Sequence, residues 1–488
     1  MTTRIKLRRD TATNWHDTNP VLALGEPGLE TDTRQIKYGD GSTAWRDLLY
    51  ANGAGVGLDD QVRIGTDAGE VEQESRAIAI GQEAGQYNQG YASIAIGYEA
   101  GMGYDPEYPA DPENPGYQAD EAIAIGREAG NSYQRYHSVA IGVETGYVRQ
   151  GYASVAIGRS AGYNDQGTNS VAIGSRAGEN NQSYQAVAIG RRAGQDYQGD
   201  HGVAIGDYAG NDNQGYASVA IGHYAAYTGQ QAHGVAIGDN AGYSDQQVNG
   251  IAIGQEAGYN NQGQHSVAIG RSAGNQNQQE TAVAIGRWAG RDSQEESAVA
   301  IGRHAGQTNQ AYGSIAIGNQ AAEDNQAAEA IAIGRDAGYS DQRFHSIAIG
   351  TEAGNDSQSY AAVAIGRTAG YQNQGTNGIA IGSRAAENYQ AEHGIAIGKY
   401  AGQEYQGQHA IAIGYYAGTN HQPNNSIVLN STGNQLDPEF ADSFTVKPVR
   451  TVIAADSDFA DFSYLCFYNP TTGEIAKISI ADAITKLA

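Results

Sequence analysis

A sixteen-residue unit repeats along most of this chain and restricts the fold more than any other feature. A clean copy occupies residues 154–169 and reads Ser-Val-Ala-Ile-Gly-Arg-Ser-Ala-Gly-Tyr-Asn-Asp-Gln-Gly-Thr-Asn. If its first glycine is position 0, that glycine recurs every sixteen residues from Gly65 to Gly97 and again from Gly126 to Gly414, which makes twenty-two units. A fixed period of this length is typical of a solenoid, in which each unit forms one coil stacked on the one before.

Positions −3 to −1 of the unit predict a short strand. Position −1 is Ile in every unit, and position −3 is always Val or Ile. β-Branched residues at a period of two indicate a strand with one face in a core. The chain has 67 glycines but only six Phe and three Trp, which suits a thin core. We therefore predict an all-β, parallel β-solenoid (β-roll) of 22 sixteen-residue coils, with positions −3 and −1 forming the core.

The other face of this strand, at positions −4 and −2, is restricted to small residues. Position −2 is Ala in every unit except the first, which has Arg63. A solvent-facing position would vary freely, so we expect this face to pack against other copies of the chain in a closed oligomer, most simply a homotrimer. A single solenoid with an idle alanine face is the alternative. The expected oligomer face includes Ala156, Ala172, Ala252 and Ala268.

Position +8 is Gln in every unit, including Gln118 in the one interrupted unit. Stacked strands repeat about every 4.7–4.9 Å, so these side chains are expected to form a ladder along the solenoid axis. An amide both donates and accepts hydrogen bonds, which lets a buried row satisfy itself. A polar binding stripe is the alternative. The expected structural ladder includes Gln166, Gln182, Gln198, Gln214 and Gln262.

The chain divides into four parts. They are an N-terminal β-rich domain (1–52), a glycine-containing linker (53–60), the solenoid shaft (61–430) and a C-terminal cap or tip (431–488). The shaft ends in a degenerate closing coil, in which Val428 and Asn430 replace the usual Ala and Gly, as solenoid caps commonly do.

A proline-rich loop (102–117) interrupts the third unit. Its prolines are spaced by three, which favours an extended arm. Tyr104, Tyr108 and Tyr117 lie in it and are candidate partner-binding side chains. A tolerated surface excursion is an equally good interpretation.

The two terminal domains carry weaker strand signals. In the N-terminal domain we predict strands at 4–7 and 36–38, and in the C-terminal domain strands at 444–450, 464–468 and 475–480. The expected small N-terminal core consists of Trp15, Val21, Leu22, Leu24, Trp45, Leu48 and Leu49.

Charge and hydropathy exclude several classes of partner. The net charge of −25 disfavours binding to nucleic acid or to anionic membranes. No segment approaches the roughly 20 apolar residues that span a bilayer, and the first residues do not resemble a signal peptide. We expect a protein made in the cytoplasm without a secretion signal and without membrane insertion.

No catalytic, cofactor or metal constellation rises above the repeat background, and we expect no enzymatic activity. Seven histidines share position −5, a column for which metal binding is one interpretation and a solvated corner is the preferred one. They are His137, His201, His233, His265, His345, His393 and His409. Arg271, Arg287 and Arg303 form a local basic stripe at +1, and many of the 32 tyrosines lie at +5. Such tyrosines suit sugar or protein contact, or stacking between coils.

The N-terminal domain resembles a known kind of protein. Ile5-Lys6-Leu7-Arg8-Arg9-Asp10, 20–28 (Pro-Val-Leu-Ala-Leu-Gly-Glu-Pro-Gly) and 37–45 (Lys-Tyr-Gly-Asp-Gly-Ser-Thr-Ala-Trp) look like the N-terminal segment of bacteriophage tail-fibre and receptor-binding proteins. The resemblance implies attachment to other virion tail proteins at this end. A generic β-rich cap for the solenoid is the alternative.

The shaft resembles the left-handed parallel β-roll heads of trimeric autotransporter adhesins, on the strength of its Ser-Val-Ala-Ile-Gly core. The units here are longer, and the Gln column is not one of that family's hallmarks. Trimerisation is implied by this resemblance as well as by the small face. Together the two resemblances predict a virion protein, a phage tail fibre that positions a surface for binding a host glycan or protein. A cell-surface adhesin is the alternative, and a glycan depolymerase tailspike a third.

Overall fold

The computed structural model describes residues 7–48, 50, 60–103 and 118–449, and the backbone of two further strands, Tyr464–Tyr468 and Ile475–Ser479. Nearly all of the predicted linker and proline-rich loop lies outside the described residues. Tyr104, Tyr108 and Tyr117 therefore stay predictions.

The N-terminal domain is a three-stranded sheet with one short helix. Strand β1 (Arg8–Asp10) pairs parallel with β2 (Pro27–Glu30), which pairs antiparallel with β3 (Ile36–Tyr38). Helix α1 (Ala12–Thr18) connects β1 to β2, and a 3-10 turn covers Trp45–Asp47. The strand at 36–38 is confirmed. The helix was not predicted, and most of the strand predicted at 4–7 lies outside the described residues.

Two tryptophans form the core of this domain. The rings of Trp15 and Trp45 stack 4.1 Å apart at 15°, and Leu22 is fully buried with them. The Trp15 Nε1 donates a hydrogen bond to the Leu29 carbonyl at 2.9 Å. A Cβ at Gly28 would lie 2.4 Å from the Trp45 ring, so this glycine is required by the core.

The prediction that Val21 and Leu24 belong to this core is wrong. Val21 is 52% exposed and Leu24 is 83% exposed, because both lie in the loop between α1 and β2. Leu48 is buried as expected. Leu49 lies outside the described residues.

The shaft is a stack of coils, and the predicted all-β parallel β-solenoid is confirmed. Positions −3 to −1 of each coil form one strand of a parallel sheet, here called the Val/Ile sheet, in which each strand pairs with the next at equivalent positions. The pairing continues across the loop insertion, from Ile94–Ile96 to Ile123–Ile125. Its strands are Val62–Ile64, Ile78–Ile80, Ile94–Ile96, Ile123–Ile125, Val139–Ile141, Val155–Ile157, Val171–Ile173, Val187–Ile189, Val203–Ile205, Val219–Ile221, Val235–Ile237, Ile251–Ile253, Val267–Ile269, Val283–Ile285, Val299–Ile301, Ile315–Ile317, Ile331–Ile333, Ile347–Ile349, Val363–Ile365, Ile379–Ile381, Ile395–Ile397, Ile411–Gly414, Ile427–Asn430 and Phe444–Lys447.

A second row of short strands, not predicted from the sequence, covers positions +6 to +8. We call it the glutamine sheet, because each strand ends in the invariant Gln. It has two parallel runs, joined by isolated bridges of Thr228 to Asp212 and to Ser244. Its strands are Ser132–Gln134, Val148–Gln150, Asn164–Gln166, Asn180–Gln182, Asp196–Gln198 and Asp212–Gln214, then Ser244–Gln246, Asn260–Gln262, Gln276–Gln278, Asp292–Gln294, Thr308–Gln310, Asp324–Gln326, Ser340–Gln342, Asp356–Gln358, Gln372–Gln374, Asn388–Gln390 and Glu404–Gln406.

The glycines at 0 and +4 form the turn that leads from the Val/Ile sheet toward the glutamine sheet. Gly158 has a φ of 133°, and a Cβ there would lie 2.5 Å from the carbonyl oxygen of Gly174 in the next coil. Gly162 has a φ of 53°, and a Cβ there would lie 2.8 Å from the Gln166 Oε1. Position 0 therefore needs glycine for the close backbone approach as well as for the backbone angle. Position +4 favours glycine but accepts alanine in three coils, at Ala226, Ala322 and Ala386, where φ is 44–47°.

The interior of the shaft is the reverse of the one predicted. Ala156, Ala172, Ala252 and Ala268, the expected oligomer face, are 0% exposed within the single chain and point into the solenoid. The Val and Ile residues at −3 and −1 point outward and are partly exposed. The two sheets lie so close that only small side chains and the glutamines fit between them, so the small residues mark the interior and not a face for other chains.

The C-terminal end of the stack is closed. At the C-terminal end Val428 is fully buried in the alanine column, and the strand Phe444–Lys447 covers the closing coil. The Asn430 Nδ2 donates to the carbonyls of Tyr415 and Asn434, at 2.8 and 2.6 Å. The degenerate closing coil is therefore present, with one additional strand beyond it. The strands Tyr464–Tyr468 and Ile475–Ser479 then form an antiparallel pair, close to the predicted bounds.

Candidate binding and assembly surfaces

The glutamines at +8 are buried and form a hydrogen-bonded ladder. The Gln166 Nε2 donates to the Oε1 of Gln182 in the next coil at 3.2 Å, and to the Val155 carbonyl of its own coil at 3.0 Å. Gln182, Gln198, Gln214 and Gln262 make the same two kinds of bond. Each side chain thus ties the glutamine sheet to the Val/Ile sheet and also to the next coil, a role that leaves it inaccessible to a ligand.

The first coil explains the exception at position −2. The first glutamine of the ladder, Gln73, has no preceding glutamine to donate to its Oε1, and the Arg63 Nε donates instead. A second Arg63 nitrogen donates to the Gln61 Oε1 at 3.0 Å. Arg63, the exception at position −2, and Gln61 at position −4 of the same coil therefore cap the first glutamine of the ladder.

The ladder has one break between neighbouring glutamines of the described residues. Gln134 donates to the Ile123 carbonyl at 2.7 Å, but no bond joins it to Gln150, whose buried Oε1 has no partner. The break adjoins the coil in which Thr145 replaces the usual Ala at +3. The Thr145 hydroxyl is fully buried and donates to the Gly158 carbonyl of the next coil.

The outward Val and Ile side chains form a continuous apolar strip, here called the Val/Ile strip, that follows the shaft along its whole length. Ile269 is 36% exposed, and Ile64 and Ile413 near the two ends are 47% and 40% exposed. No other part of the described chain covers this face. A strip that repeats in every coil is far longer than the scattered apolar residues normal on a protein surface.

Where tyrosines occupy +5 in successive coils they stack on one another, which is one of the two interpretations left open by the sequence. The rings of Tyr147 and Tyr163 are 5.0 Å apart at 4°, and those of Tyr243 and Tyr259 are 4.8 Å apart at 12°. Burial, and then the neighbouring phenols, raise the pKa of Tyr243. Stacked rings present their edges, and not their faces, to a ligand, which favours the structural interpretation of this row.

The seven histidines at −5 occupy left-handed corners of the backbone. Their φ angles lie between 55° and 59°, in a region where Asn, Asp and His are enriched among non-glycine residues. Asn takes the same position in other coils, for example Asn169 at 57°. Backbone geometry therefore accounts for this column. Among the described residues no group of three or more His, Cys, Asp or Glu side chains is arranged to hold a metal ion.

The basic stripe at +1 has internal partners at two of its three positions. The Arg287 guanidinium lies 3.8 Å from the centre of the Trp288 ring, and the Arg303 Nε donates to the Asn319 Oδ1 at 2.9 Å. This arrangement favours a solvated, self-paired ridge over a ligand site.

Two open grooves follow the glutamine sheet. One has a volume of about 600 Å³ and lies between positions +7 and +9 of neighbouring coils, with Asp341, Arg343, Ser359 and Asn373 among its lining residues. The other has a volume of about 640 Å³, lies close to the loop insertion and is lined by Glu72, Asn88, Asp120 and Tyr136 among others. Both are shallow and polar, a shape that suits an extended polar ligand better than a compact apolar one.

The N-terminal domain contains a small buried charge cluster. The Lys37 Nζ donates to the Trp45 carbonyl at 2.8 Å and lies 4.3 Å from the centre of the Tyr50 ring. Burial lowers the pKa of Lys37. The Tyr50 hydroxyl donates to the Glu30 Oε1 at 2.8 Å, and burial together with this bond raises the pKa of Tyr50 to about 12. The cluster links β2, β3 and the end of the domain, which is a structural role.

Comparison with known proteins finds one similarity, in the N-terminal domain. Residues 5–43 match the family model described as the major tropism determinant N-terminal domain. No curated protein and no solved structure matches the chain. The match covers most of the N-terminal domain, including Trp15, ends just before Trp45 and includes none of the shaft. Within the described residues, no helix has the length and apolar character needed to cross a membrane.

Proposed function

We propose that this protein is a phage receptor-binding fibre, in which the N-terminal domain attaches to the virion and the shaft presents binding surfaces to the host. The observation that carries the proposal is the tropism-determinant domain at residues 5–43, joined in one chain to a long unbranched solenoid. Coils about 4.8 Å apart make a shaft of roughly 100 Å, long enough to hold a binding surface away from the particle. The function is adhesive and not enzymatic.

The fibre contains more than one copy of the chain, joined through the Val/Ile strip. A partner that covers this strip must be apolar and must repeat at the spacing of the coils over the whole shaft. A second copy of the same chain has both properties. Because three copies close a ring around one axis with every strip facing inward, a homotrimer is the proposed state.

The oligomer is tested by introducing charges on the strip. Ile253→Glu together with Ile269→Glu is expected to release monomers, because two carboxylates per chain would enter an apolar contact. Multi-angle light scattering gives the mass of the wild-type and variant proteins. A wild-type mass equal to one chain contradicts the proposal.

The matched control adds the same two negative charges away from the strip. Gln264→Glu together with Gln279→Glu changes two exposed side chains at the glutamine-sheet side of neighbouring coils. This variant is expected to keep the wild-type mass. Dissociation of the control would mean that added charge alone separates the chains, and the strip would then lose its assigned role.

Receptor binding is tested with the purified fibre and candidate host cells. The wild-type chain, labelled with a fluorophore, is expected to bind susceptible bacteria and to compete with the phage for attachment. A variant lacking residues 1–52 is expected to bind the cells and to fail to join the virion. Binding to particles through the shaft, with the N-terminal domain removed, would contradict the assigned direction. Absence of released oligosaccharide after incubation with host capsule is the expected result for a fibre without enzymatic activity.

A further inference from the structure

The shaft carries the same outer surface twice. Residues 118–182 and 326–390 are 208 positions apart, which is thirteen coils, and they share many side chains in columns that vary elsewhere in the repeat. The shared pairs include Glu121 and Glu329, Arg127 and Arg335, Arg135 and Arg343, His137 and His345, Glu144 and Glu352, Tyr152 and Tyr360, Arg159 and Arg367, Tyr163 and Tyr371, Thr168 and Thr376, Asn169 and Asn377, and Arg176 and Arg384.

The differences between the two segments are not spread evenly over the coil. At +7, the outermost position of the glutamine sheet, all four pairs differ. They are Tyr133 and Asp341, Arg149 and Ser357, Asp165 and Asn373, and Asn181 and Tyr389. At −5 all four pairs are the same, with Glu, His, Ala and Asn in successive coils. The surface held in common therefore excludes the +7 face and includes the corner around position −5, together with positions +1 and +2.

We call these two surfaces the twin corners. The first consists of Glu121, Arg135, Tyr136, His137 and Tyr152, and the second of Glu329, Arg343, Phe344, His345 and Tyr360. Each is built from three successive coils.

The glutamate and the histidine of each corner make the same side-chain contact. The His137 Nδ1 lies 3.1 Å from the Glu121 Oε2, and the His345 Nδ1 lies 3.1 Å from the Glu329 Oε2. The contact runs from one coil to the next and fixes the ring on the surface.

The opposite side of each histidine contacts a tyrosine of the following coil. The rings of His137 and Tyr152 are 5.4 Å apart at 86°, and those of His345 and Tyr360 are 5.6 Å apart at 89°. Tyr152 and Tyr360 remain 44% and 50% exposed. The two corners thus share geometry as well as composition.

Each corner also presents an arginine at +9, and among the twenty-two units only these two have it. Arg135 and Arg343 are exposed, and no carboxylate of the described residues lies within ion-pair distance of either. By contrast, Arg127 and Arg335 pair with neighbouring acids. On a chain with a net charge of −25, two guanidinium groups without a described carboxylate partner are well placed for an anionic ligand.

An exposed ring follows each of these arginines. Tyr136 is 43% exposed and Phe344 is 55% exposed, and Phe344 is the only Phe among the twenty-two units. The polar grooves differ between the two corners, since Tyr136 lines a groove together with Glu72, Glu74 and Asp120, whereas Arg343 lines a groove at positions +7 to +9 farther along the shaft.

We propose that the twin corners are two equivalent binding sites for an oligosaccharide that carries carboxylates. The guanidinium of Arg135 or Arg343 pairs with a sugar carboxylate in bidentate geometry, and the exposed ring of Tyr136 or Phe344 packs against the apolar face of a sugar. This inference rests on the proposed receptor-binding function and adds the ligand class and the number of sites.

The spacing gives the chain two sites roughly 60 Å apart, since thirteen coils separate them at about 4.8 Å each. Two weak sites on one rigid shaft bind a long surface polysaccharide more tightly than either site alone, because the second contact is made within the complex. The presence of two such corners on one chain is therefore expected to increase the avidity of the fibre for a long polysaccharide.

Isothermal titration of the full chain tests the proposal. The probes are tetrasaccharides of galacturonate, of mannuronate, of sialate and of hyaluronan, with maltotetraose as the neutral probe. At least one acidic probe is expected to bind at two sites per chain, and maltotetraose is expected not to bind. Failure of all four acidic probes overturns the proposal.

Substitutions assign the sites. Arg135→Ala and Arg343→Ala are each expected to leave one site per chain with unchanged affinity, and the double variant is expected to lose at least tenfold in affinity at both. The matched control is Arg159→Ala with Arg367→Ala, an exposed pair that is also shared by the two segments but lies at the other corner of the coil, at +1. Loss of binding in the control, or two intact sites in the double variant, overturns the assignment.

Cell binding separates this inference from the proposed function. Periodate treatment of the bacteria, which oxidises sugars, is expected to abolish attachment of the wild-type fibre. Attachment that resists periodate but is removed by protease would leave the receptor-binding function standing and would replace the saccharide by a protein ligand. A fibre that binds no host cell at all would contradict the proposed function itself.

Discussion

The N-terminal domain and the shaft achieve stability in different ways. The domain buries two stacked tryptophans and a leucine in one small cluster, whereas the shaft buries alanine, glycine and glutamine in every coil. In the domain, stability depends on the volume of a few large side chains. In the shaft, stability depends on many hydrogen bonds and close backbone contacts, each of which contributes only a small part of the total free energy of unfolding. The same chain therefore has one region with a concentrated core and one with a distributed core.

Among single substitutions, the largest loss of stability is expected in the N-terminal domain. Trp45→Ala is expected to cost about 3–5 kcal/mol of the domain's unfolding free energy, because it removes one of two stacked rings and leaves a cavity. Hydrogen exchange resolved by peptide would show rapid exchange at 7–48 and unchanged protection in the shaft. Equal loss of protection in both regions would mean that the two cores are not independent.

In the shaft, overpacking is expected to have the next largest effect. Ala268→Leu places a large side chain where the present one is 0% exposed, and a cost of about 1–3 kcal/mol is expected in the coils on either side. Gln264→Leu is the matched control, because its side chain is exposed and lies away from both the interior and the Val/Ile strip. Unchanged exchange in Ala268→Leu would contradict the inward placement of the alanine column.

Removal of one glutamine is expected to cost about 2 kcal/mol, because buried groups lose their partners. In Gln262→Ala, the Gln246 Nε2 loses an acceptor at 2.9 Å and the Ile251 carbonyl loses a donor at 2.7 Å. Local exchange in the flanking coils is the measurement. Gln264→Ala, two residues away on the exposed corner, is the control and is expected to leave exchange unchanged.

The smallest effect is expected at the open end of the ladder. Arg63→Ala removes the donor to the Gln73 Oε1 and is expected to cost about 1 kcal/mol, confined to the first coils, because solvent replaces the guanidinium there. Faster exchange in 60–90 alone is the expected pattern. A change that reached the middle of the shaft would show that coils are coupled over a longer distance than nearest-neighbour stacking implies.

The sequence was sufficient for the solenoid, the coil length and the closing coil, because a strict period leaves few other folds. It was not sufficient for the direction of the strand faces. Ala at −2 and Ile at −1 are both apolar, and a period of two shows that they face opposite ways without showing which way is inward. The Gln at +8 carried the signal: a buried glutamine row, as expected from its invariance, leaves room beside it only for side chains as small as the alanine at −2.

The binding surfaces were harder to predict. The histidine column drew attention as a metal candidate, whereas its cause is the left-handed backbone at −5. His137 and His345 belong to a candidate binding site only because of the residues beside them in the preceding and following coils. Aligning the units by position does not show which residues of different coils lie side by side. Comparison of segments thirteen coils apart finds them, and needs no structure to do so.

The glutamine ladder has a direction. Every amide-to-amide bond in it is donated toward the C-terminal end, as Gln166 donates to Gln182, whereas the backbone bonds of the Val/Ile sheet alternate, since the Val155 amide donates forward and the Gly158 amide donates backward. The backbone dipoles therefore largely cancel along the axis while the side-chain dipoles add. The shaft is electrically polar along its axis, as an α-helix is, with its negative pole at Gln73, where the Arg63 guanidinium sits, and its positive pole at Gln422, where two carbonyls receive the last amide.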